Sequence, residues 1–195
     1  MSKRILIIQG HPDPDDSHYS HALAQAYRNG AEEAGFSVDT VEVARLDFPL
    51  LRNEDEWQKG EVAPDIRTAQ DKLQRADHIV ILFPLWMGTM PALLKAFLEQ
   101  ALRPGFAFEE NARNGPGGQL LKGKSARVII TMGMPGFFYR WYFGAHGYRN
   151  LKRNILKFCG IRPIRHCFVG LAGAEKPEGR RKWLKRVQTL GHHGT

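Results

Sequence analysis

The stretch Ile79-Val80-Ile81-Leu82-Phe83-Pro84 is the clearest strand signal in this chain of 195 residues. A short, unbroken apolar run that is rich in β-branched side chains is typical of a strand buried on both faces of a sheet. Pro84 ends the run, and Pro91 begins a strong helix. The inward face of that helix is predicted to hold Leu93, Leu94, Phe97, Leu98, Ala101 and Leu102.

Four further strands and four further helices are predicted on either side of this stretch. The strands cover 5–8, 38–43, 128–130 and 164–169. The helices cover 20–34, 64–76 and 151–159, and the last one begins at Pro177. Three segments are predicted to be irregular: a surface excursion at 46–63, a glycine-rich loop at 103–124 and an aromatic loop at 131–147.

Strands and helices alternate along the chain, which indicates an α/β fold with a parallel sheet covered by helices on both faces. Five strands in a chain of this length fit the smaller doubly wound type, with strand order 2-1-3-4-5. Residues 1–195 are predicted to form one domain, because a domain typically takes roughly 100–200 residues. The 43% of hydrophobic residues and 25% of charged residues exclude a disordered chain.

The sequence predicts a cytoplasmic protein with no membrane insertion. No apolar run approaches the roughly 20 residues that a membrane span needs. The apolar stretch that follows Lys3-Arg4 is too short for a signal peptide. Cys159 and Cys167 do not form a disulfide framework and fit no zinc spacing, so a reducing compartment is the simplest location.

Charge is distributed unevenly along the chain, whose net charge is +8. Residues 1–110 hold 11 Lys and Arg against 18 Asp and Glu, whereas 111–195 hold 17 against 2. This asymmetry is compatible with nucleic acid, anionic membrane or phosphate-bearing ligands as partners, or with a solvated basic face. We interpret five cations of the last helix as a solvated face: Arg180, Arg181, Lys182, Lys185 and Arg186.

Ligands of doubly wound sheets bind outside the carboxyl ends of the strands, which directs attention to the loops at 9–20, 84–91 and 131–147. The first loop offers hydroxyls and amides at a helix N-terminus, which suit an anion. Ser17 or Ser20 could equally cap the helix. A metal site is a third reading, because six potential ligands lie within eleven residues: His11, Asp13, Asp15, Asp16, His18 and His21. They match no defined zinc or calcium spacing, and we expect no metal.

The other two loops are unusually apolar. The second presents Trp86, Met87 and Met90, which could cover a flat apolar ligand, contact a partner subunit or pack into the core. Six of the seven residues at 137–143 are aromatic, which suits a covered ring, a gating loop or a dimer interface. His146 follows them and is a candidate proton donor, although a lone histidine is often structural.

Residues 118–125 match the phosphate-binding pattern G-x-x-x-x-G-K-S, but in the wrong context. That chemistry requires a strand before the loop and a helix after it. Here a polar, glycine-rich segment precedes the match and a strand follows it. We therefore interpret the match as coincidental.

Seven short motifs occur in one order along the predicted strands and loops: His11 with Ser17 and Ser20, then 83–86 with 90–95, 105–108, 121–124, 131–134, 144–147 and 158–161. In this order they resemble the flavodoxin-like NAD(P)H:quinone oxidoreductases, the DT-diaphorase-like flavoenzymes. Gly144-Ala145-His146-Gly147, for example, resembles the G-x-H-G of that family, and Phe158-Cys159-Gly160-Ile161 its F-C-G-F.

The resemblance implies a flavodoxin-like fold and a bound flavin, either FAD or FMN, that takes hydride from NAD(P)H and passes it to a quinone or a similar acceptor. The flavin-binding residues are then His11, Ser17, His18, Ser20, Pro84, Leu85, Trp86, Met87, Thr131, Met132, Gly133 and Met134. Trp86, Phe108 and Phe137 would bind substrate.

The resemblance also implies two catalytic residues and a homodimer with its site at the subunit interface. His146 corresponds to the histidine of the family and would hydrogen-bond the acceptor or the reduced flavin system. The family has a tyrosine six residues earlier, where this chain has Arg140, so the neighbouring Tyr139 is the candidate. The alternative function is a flavin-holding regulatory subunit of a potassium-efflux transporter, since relatives with this fold play that part.

Overall fold

Five parallel strands form the central sheet in the predicted order β2-β1-β3-β4-β5. The computed structural model describes residues 2–109, 118–173 and 177–195. The strands are β1 (Arg4–Gln9), β2 (Ser37–Glu42), β3 (His78–Pro84), β4 (Ser125–Thr131) and β5 (Ile164–Val169). All five segments predicted to be strands are therefore confirmed. β4 is longer than predicted, because its first residues, Ser125 to Arg127, interrupt the apolar run that marks a strand.

Helices cover both faces of the sheet. The described helices are α1 (Tyr19–Glu33), α2 (Glu54–Lys59), α3 (Pro64–Arg75), α4 (Ala92–Ala101), α5 (Gly136–Trp141), α6 (His146–Asn150) and α7 (Pro177–His192). α3 and α4 pack with Leu6, Ile8 and Ile81 on one face, whereas α1 and α7 pack with Ile5 and Ile7 on the other. Neighbouring strand residues point to opposite faces, so each central strand contributes to both cores.

Three segments differ from their predicted structure. The excursion at 46–63 contains the short helix α2, which begins where the Asn53 side chain accepts a hydrogen bond from the amide of Glu56. The aromatic loop contains α5, whose six residues are too few to show a helical period. The helix predicted at 151–159 begins earlier, as α6, and continues as a π-helical turn over Leu151–Leu156. The predicted loop at 103–124 lies partly outside the described residues, from 110 to 117.

Residues 118–125, which match the phosphate-binding pattern by coincidence, lead into strand β4, as predicted. Lys124 is buried, and its ammonium donates to the carbonyls of Gln74 and Ala76, at 2.7 Å each. Burial lowers the pKa of this ammonium. Both bonds tie the start of β4 to the end of α3, so the lysine of the match serves the fold rather than a phosphate.

Both cysteines are buried free thiols. Burial raises the pKa of Cys159 to about 12, which keeps this thiol protonated at neutral pH. Among the described residues, no helix combines the length and the apolar character that crossing a bilayer requires.

Candidate active site

The loops at the carboxyl edge of the sheet carry the strained backbone of the molecule. Among the described residues, three non-glycine residues have left-handed backbone: Met87 after β3, Ala145 at the start of α6 and Leu171 after β5. This conformation is uncommon for residues with a side chain, and it persists where surrounding structure holds it, often at functional sites. The strain therefore coincides with the edge at which doubly wound sheets bind ligands.

The first loop leaves β1 through Gly10, which allows a close approach to α4. A Cβ atom at this position would lie 2.6 Å from a side-chain carbon of Leu94. The amide of Gly10 donates to the carbonyl of Leu82 at 2.7 Å, and the amide of His11 donates to the Gln9 side chain. These contacts fix His11, which is almost completely buried, against the central strands.

His11 and His18 form a stacked pair, with ring centroids 4.0 Å apart. Nδ1 of His11 lies 3.1 Å from both the amide nitrogen and the carbonyl oxygen of Asp13, so the Asp13 backbone holds the ring in place. Burial lowers the pKa of His11 and so favours the neutral imidazole. Nε2 of His18 lies 2.9 Å from a carboxylate oxygen of Asp13, and this hydrogen bond lowers the pKa of Asp13.

A polar cavity of about 290 Å³ lies between this loop, the end of β4 and the start of α7. The described residues that line it are His11, Ser17, His18, Tyr19, Ser20, Thr131, Ala172, Gly173 and Arg180. None of them is acidic. Asp13 and Asp15 accept hydrogen bonds from loop amides instead, at 2.9 Å each, so their carboxylates are occupied in shaping the loop.

Ser20 is the clearest indication that this cavity can bind a ligand. The residue is 3% exposed, and its hydroxyl has no hydrogen-bond partner among the described residues. A buried hydroxyl without a partner costs free energy, and most such groups in native proteins are satisfied. Ser20 lies in the first turn of α1, where the amide of His21 donates to the carbonyl of His18 at 3.0 Å. The start of a helix leaves other amides without an acceptor in the helix, and its dipole favours an anion.

Arg180 is a site residue that the sequence analysis assigned to a solvated face. Its guanidinium donates to the carbonyl of Ala172 at 2.9 Å and lies 5.1 Å from the ring centroid of Tyr19. α1 and α7 can bring it there because they cross at glycines. A Cβ at Gly30 or Gly191 would lie 1.9 or 2.0 Å from a backbone oxygen of the other helix. In the sequence, the glycines of the two helices were the signal that could have indicated this close crossing.

The expected helix cap is absent. His18 occupies the N-cap position of α1, and no side chain caps this helix, so neither Ser17 nor Ser20 performs that function. The metal reading gains no support either, since no group of three or more metal-ligating side chains occurs within the residues that the structure describes.

The loop after β3 is a tight turn that exposes two apolar side chains. Trp86 and Thr89 exchange two backbone hydrogen bonds of 3.0 Å, and the two residues between them, Met87 and Gly88, have left-handed backbone. Two such residues in succession are characteristic of a two-residue hairpin turn. Met87 is fully exposed and Trp86 half-exposed. Pro84 and Leu85 precede them, paired with Thr131 of β4.

In the loop after β4, the groups available to a ligand belong to the backbone rather than to side chains. The carbonyls of Met132 and Met134 accept from the amides of Ala172 and Leu171, and the Met132 side chain belongs to the core. The amides of Gly133 and Met134 have no partner among the described residues. A Cβ at Gly133 would meet no atom within 4 Å, so this stretch faces open space.

Tyr139 is not placed to touch a substrate, contrary to its predicted catalytic part. It is 1% exposed, and its hydroxyl donates to the carbonyl of Gly88 at 3.3 Å and accepts from the amide of Tyr148 at 3.2 Å. Burial raises its pKa. Tyr139 is the buried residue of α5, and its side chain points towards the core. Tyr139 instead holds the turn after β3 against the start of α6.

His146 is exposed at the start of α6. Two residues with left-handed backbone, Gly144 and Ala145, lead into the helix. A Cβ at Gly144 would lie 2.8 Å from Nε2 of His146, so the imidazole folds back over this glycine. Gly147 lies directly beside the turn after β3, since its Cβ would come 2.4 Å from the carbonyl oxygen of Gly88. Gly147, the residue after His146, thus fixes the start of α6 against the turn that contains Trp86.

The three residues predicted to bind substrate do not line one cavity within this chain. Phe137 and Trp86 are exposed on the loops of the carboxyl edge. Phe108 packs on Phe158 and Trp57, with ring centroids 4.9 and 5.9 Å away. It lines a separate apolar cavity of about 410 Å³ between α2, α4 and the π-helical turn. The sequence alone could not show that Phe108 lies on a different surface from Trp86 and Phe137.

A family model described as flavodoxin-like fold matches residues 3–190. An uncharacterized NAD(P)H oxidoreductase of Haemophilus influenzae is 30% identical, over 82% of this chain and 79% of that protein. The chain belongs to the flavodoxin-like family of NAD(P)H:quinone oxidoreductases.

A second relative supports this membership, and a solved structure shares the fold. NAD(P)H dehydrogenase [quinone] 1 of Rattus norvegicus is 26% identical, over 96% of this chain and 77% of the rat protein. The solved structure of an FMN-dependent NADH-azoreductase of Bacillus anthracis, in complex with FMN, shares the fold, with a TM-score of 0.75. It is 19% identical and covers 98% of each chain. The predicted fold class and family are confirmed.

Proposed function

We propose that this protein is a flavin-dependent NAD(P)H oxidoreductase that passes hydride from NAD(P)H, through a bound flavin, to a quinone or a similar two-electron acceptor. The observation that carries the proposal is the buried, unpartnered hydroxyl of Ser20 in a cavity at the start of α1. Family membership supplies the class of reaction, and this cavity indicates where a phosphate-bearing cofactor fits.

The residues present fit a flavin. Its phosphate would be held by Ser20, the first-turn amides of α1 and the guanidinium of Arg180, which together supply donors and positive charge. The unpartnered amides of Gly133 and Met134 would face the ring system from the neighbouring loop. Half-exposed Trp86 offers an aromatic surface beside it. A bound flavin supplies two-electron redox chemistry, and amides near its ring stabilise the negative charge that it gains on reduction.

His146 is the group best placed to act on the acceptor. Its exposed imidazole can donate a hydrogen bond to a carbonyl oxygen of a quinone, which gains negative charge as it is reduced. Gly144 and Ala145 fix the direction of the ring. Tyr139 contributes indirectly, by joining the turn of Trp86 to α6.

The flavin is FAD or FMN, and the hydride donor is NADH or NADPH. The FMN of the azoreductase neighbour favours FMN, although that protein shares only the fold. The alternative function, a flavin-holding regulatory subunit of a potassium-efflux transporter, receives no support from the comparisons.

A cytoplasmic homodimer is part of the proposal. Five aromatic side chains between 137 and 143 are exposed: Phe137, Phe138, Trp141, Tyr142 and Phe143. An apolar surface of this kind is typical of an interface. Trp141 is the most exposed of the five, so Trp141→Ser should shift sedimentation towards the monomer while far-ultraviolet circular dichroism stays unchanged. The two free buried thiols suit a reducing compartment.

The proposal is tested on the purified protein supplied with FMN or FAD. We expect the absorbance bands of a bound oxidised flavin, bleaching of those bands by NADH or NADPH without oxygen, and their return when a benzoquinone is added. His146→Ala should lower quinone turnover by about tenfold or more and leave the bound flavin unchanged. A protein that binds neither flavin would overturn the proposal. Equal loss of flavin and turnover in His146→Ala would make His146 structural.

A further inference from the structure

A basic groove runs along α6 and the π-helical turn, on the surface that leads away from His146. Its volume is about 710 Å³. Five cations line it: Arg149, Lys152, Arg153, Lys157 and Arg162. Among the residues that the structure describes, Gln119, Asn154 and Phe158 complete the lining and no acidic residue takes part. The groove is part of the basic half of the chain, where no carboxylate occurs between Asn111 and Ala174.

The five cations are not neutralised within the described part of the chain. None of them forms an ion pair there, and none donates a side-chain hydrogen bond. Lys152 makes one close contact, with its ammonium 5.7 Å from the ring centroid of Tyr148. The same positive charge acts on neighbouring His166: burial lowers the pKa of His166, and Lys152 and Arg140 lower it further. Five unpaired cations on one surface create a strong attraction for anions.

The π-helical turn gathers these side chains on one side. The amide of Lys157 donates to the carbonyl of Lys152 at 3.0 Å, which is the five-residue spacing of a π-helix. Residues five positions apart then lie in successive turns on one face, whereas an α-helix would direct them apart. π-helical turns of this kind occur frequently at functional sites. The turn therefore aligns Lys152 and Lys157 along the groove.

The groove also carries groups that suit a nucleoside. Phe158 is half-exposed and offers a ring face on which a base can stack. The side-chain amides of Gln119 and Asn154 can hydrogen-bond a base or a ribose, although Gln119 already donates to the carbonyl of Lys157 at 2.9 Å. Aromatic, amide and cationic groups within one groove are the chemistry that recognises a phosphorylated nucleoside, not an isolated inorganic anion.

The groove begins beside the proposed site of reaction. Arg149 lies one helical turn after His146 in α6, so a ligand in the groove can extend from the cations to the exposed imidazole. Phe158 and Asn154 line both the groove and the apolar cavity of Phe108. The groove thus lies close to His146 and adjoins the cavity of Phe108, a residue that the sequence predicts to bind substrate.

We propose that this groove binds the adenosine half of the hydride donor and that its cations recognise the 2′-phosphate of NADPH, so that the enzyme prefers NADPH to NADH. The inference rests on the proposed function, because it names the donor of that same reaction. Phe158 stacks on the adenine, and Lys152, Arg153 and Lys157 contact the phosphate. NADH lacks that phosphate and leaves these cations unpaired.

The test compares two double variants that remove the same charge. Lys152→Gln with Arg153→Gln removes an adjacent pair from the groove, and Arg181→Gln with Lys182→Gln removes an adjacent exposed pair from α7. In the groove variant we expect the ratio of kcat/KM for NADPH to that for NADH to fall by about tenfold, because charge-assisted bonds to the 2′-phosphate are lost. The α7 variant should keep the wild-type ratio.

Calorimetric binding of adenosine 2′,5′-bisphosphate and of 5′-AMP gives a readout that needs no flavin. We expect the bisphosphate to bind more tightly than 5′-AMP, and the groove variant to lose about tenfold of that affinity. Equal affinity for the two nucleotides, or equal losses in the groove and α7 variants, would overturn the inference. A protein that binds no flavin but keeps the 2′-phosphate preference would instead contradict the proposed function alone.

Discussion

The two edges of the sheet differ in how they satisfy their buried polar side chains, although Nε2 of His78 at the amino edge also has no partner among the described residues. At the amino edge, Lys124 donates to two carbonyls of the chain, and Arg127 donates to the carbonyl of Thr195 and to Sγ of Cys167. At the carboxyl edge, the buried hydroxyl of Ser20 has no partner among the described residues, and three non-glycine residues have left-handed backbone. The amino edge thus stabilises the fold, whereas the carboxyl edge keeps its hydrogen-bonding capacity for a ligand.

Helix α7 joins the two edges, and its crossing with α1 should produce the largest effect. In Gly191→Ala the new Cβ would lie 2.0 Å from the backbone oxygen of Tyr27. The helices must then separate, which we expect to cost about 3 kcal/mol of unfolding free energy in urea denaturation. Gly133→Ala at the carboxyl edge meets no atom within 4 Å and should stay within about 0.5 kcal/mol of wild type. Equal stability of the two variants would contradict the tight crossing.

The amino edge should make stability depend on pH through His78. Burial lowers the pKa of His78 to about 3, and the positive charges of Lys3, Arg127 and Arg165 add to this shift. As the pH falls, His78 therefore becomes protonated in the unfolded chain before it does so in the folded chain. The contribution of His78 is therefore complete above about pH 6.5 and declines as the pH falls towards 3.

Between pH 6.5 and 5 this decline should amount to about 2 kcal/mol of unfolding free energy. The measurement is the difference between wild type and His78→Asn, because His11 and His166 also titrate and act on both proteins alike. The variant should lose part of the pH slope. Identical slopes would show that His78 is not a buried neutral group.

A substitution at the carboxyl edge should change the rate of turnover rather than the stability of the protein. Gly144→Ala adds a Cβ that would lie 2.8 Å from Nε2 of His146, so the imidazole must move. We expect kcat/KM for a quinone to fall by about tenfold while the bound flavin is unchanged. Gly35→Ala is the matched control, because Gly35 has a similar left-handed backbone but no atom near its Cβ. A comparable loss of turnover in Gly35→Ala would show that the loss in Gly144→Ala comes from backbone strain and not from movement of the imidazole.

Buried Ser20 and half-buried Ser125 give the smallest and most specific contrast. Ser20→Ala removes an unpartnered hydroxyl, so stability should stay the same or rise by about 0.5 kcal/mol, while flavin affinity falls by about fivefold. The hydroxyl of Ser125 lies 2.7 Å from Nδ1 of His78. Ser125→Ala should therefore lower stability by about 1 kcal/mol and leave flavin affinity unchanged. The same outcome in both serines would remove the distinction between the edges.

The fold could be predicted because its signals are local. Each strand is a short apolar run between turn residues, and alternation with helices determines a parallel sheet. The excursion at 46–63 was predicted without its helix, although Asn53 and Glu56 carry the spacing of a helix cap. α5 was missed because six residues cannot establish a period.

The site was predicted less completely, because it depends on contacts between distant segments. The loops themselves follow from the fold, and the first and third of them contain the groups that the structure leaves unpartnered. Arg180 was missed because only the crossing of α1 and α7 brings it to the first loop. Tyr139 was misplaced because the sequence does not show which aromatic residue of 137–143 points inward.

The most direct test of the account is a titration of the flavin-free protein with FMN and with FAD, for wild type, Arg180→Gln and Arg181→Gln. Arg180 lines the cavity of Ser20, whereas Arg181 is an exposed neighbour with the same charge. We predict that wild type and Arg181→Gln bind flavin equally and that Arg180→Gln binds it about tenfold more weakly. Equal affinity of all three proteins would contradict the claim that this cavity holds the flavin phosphate.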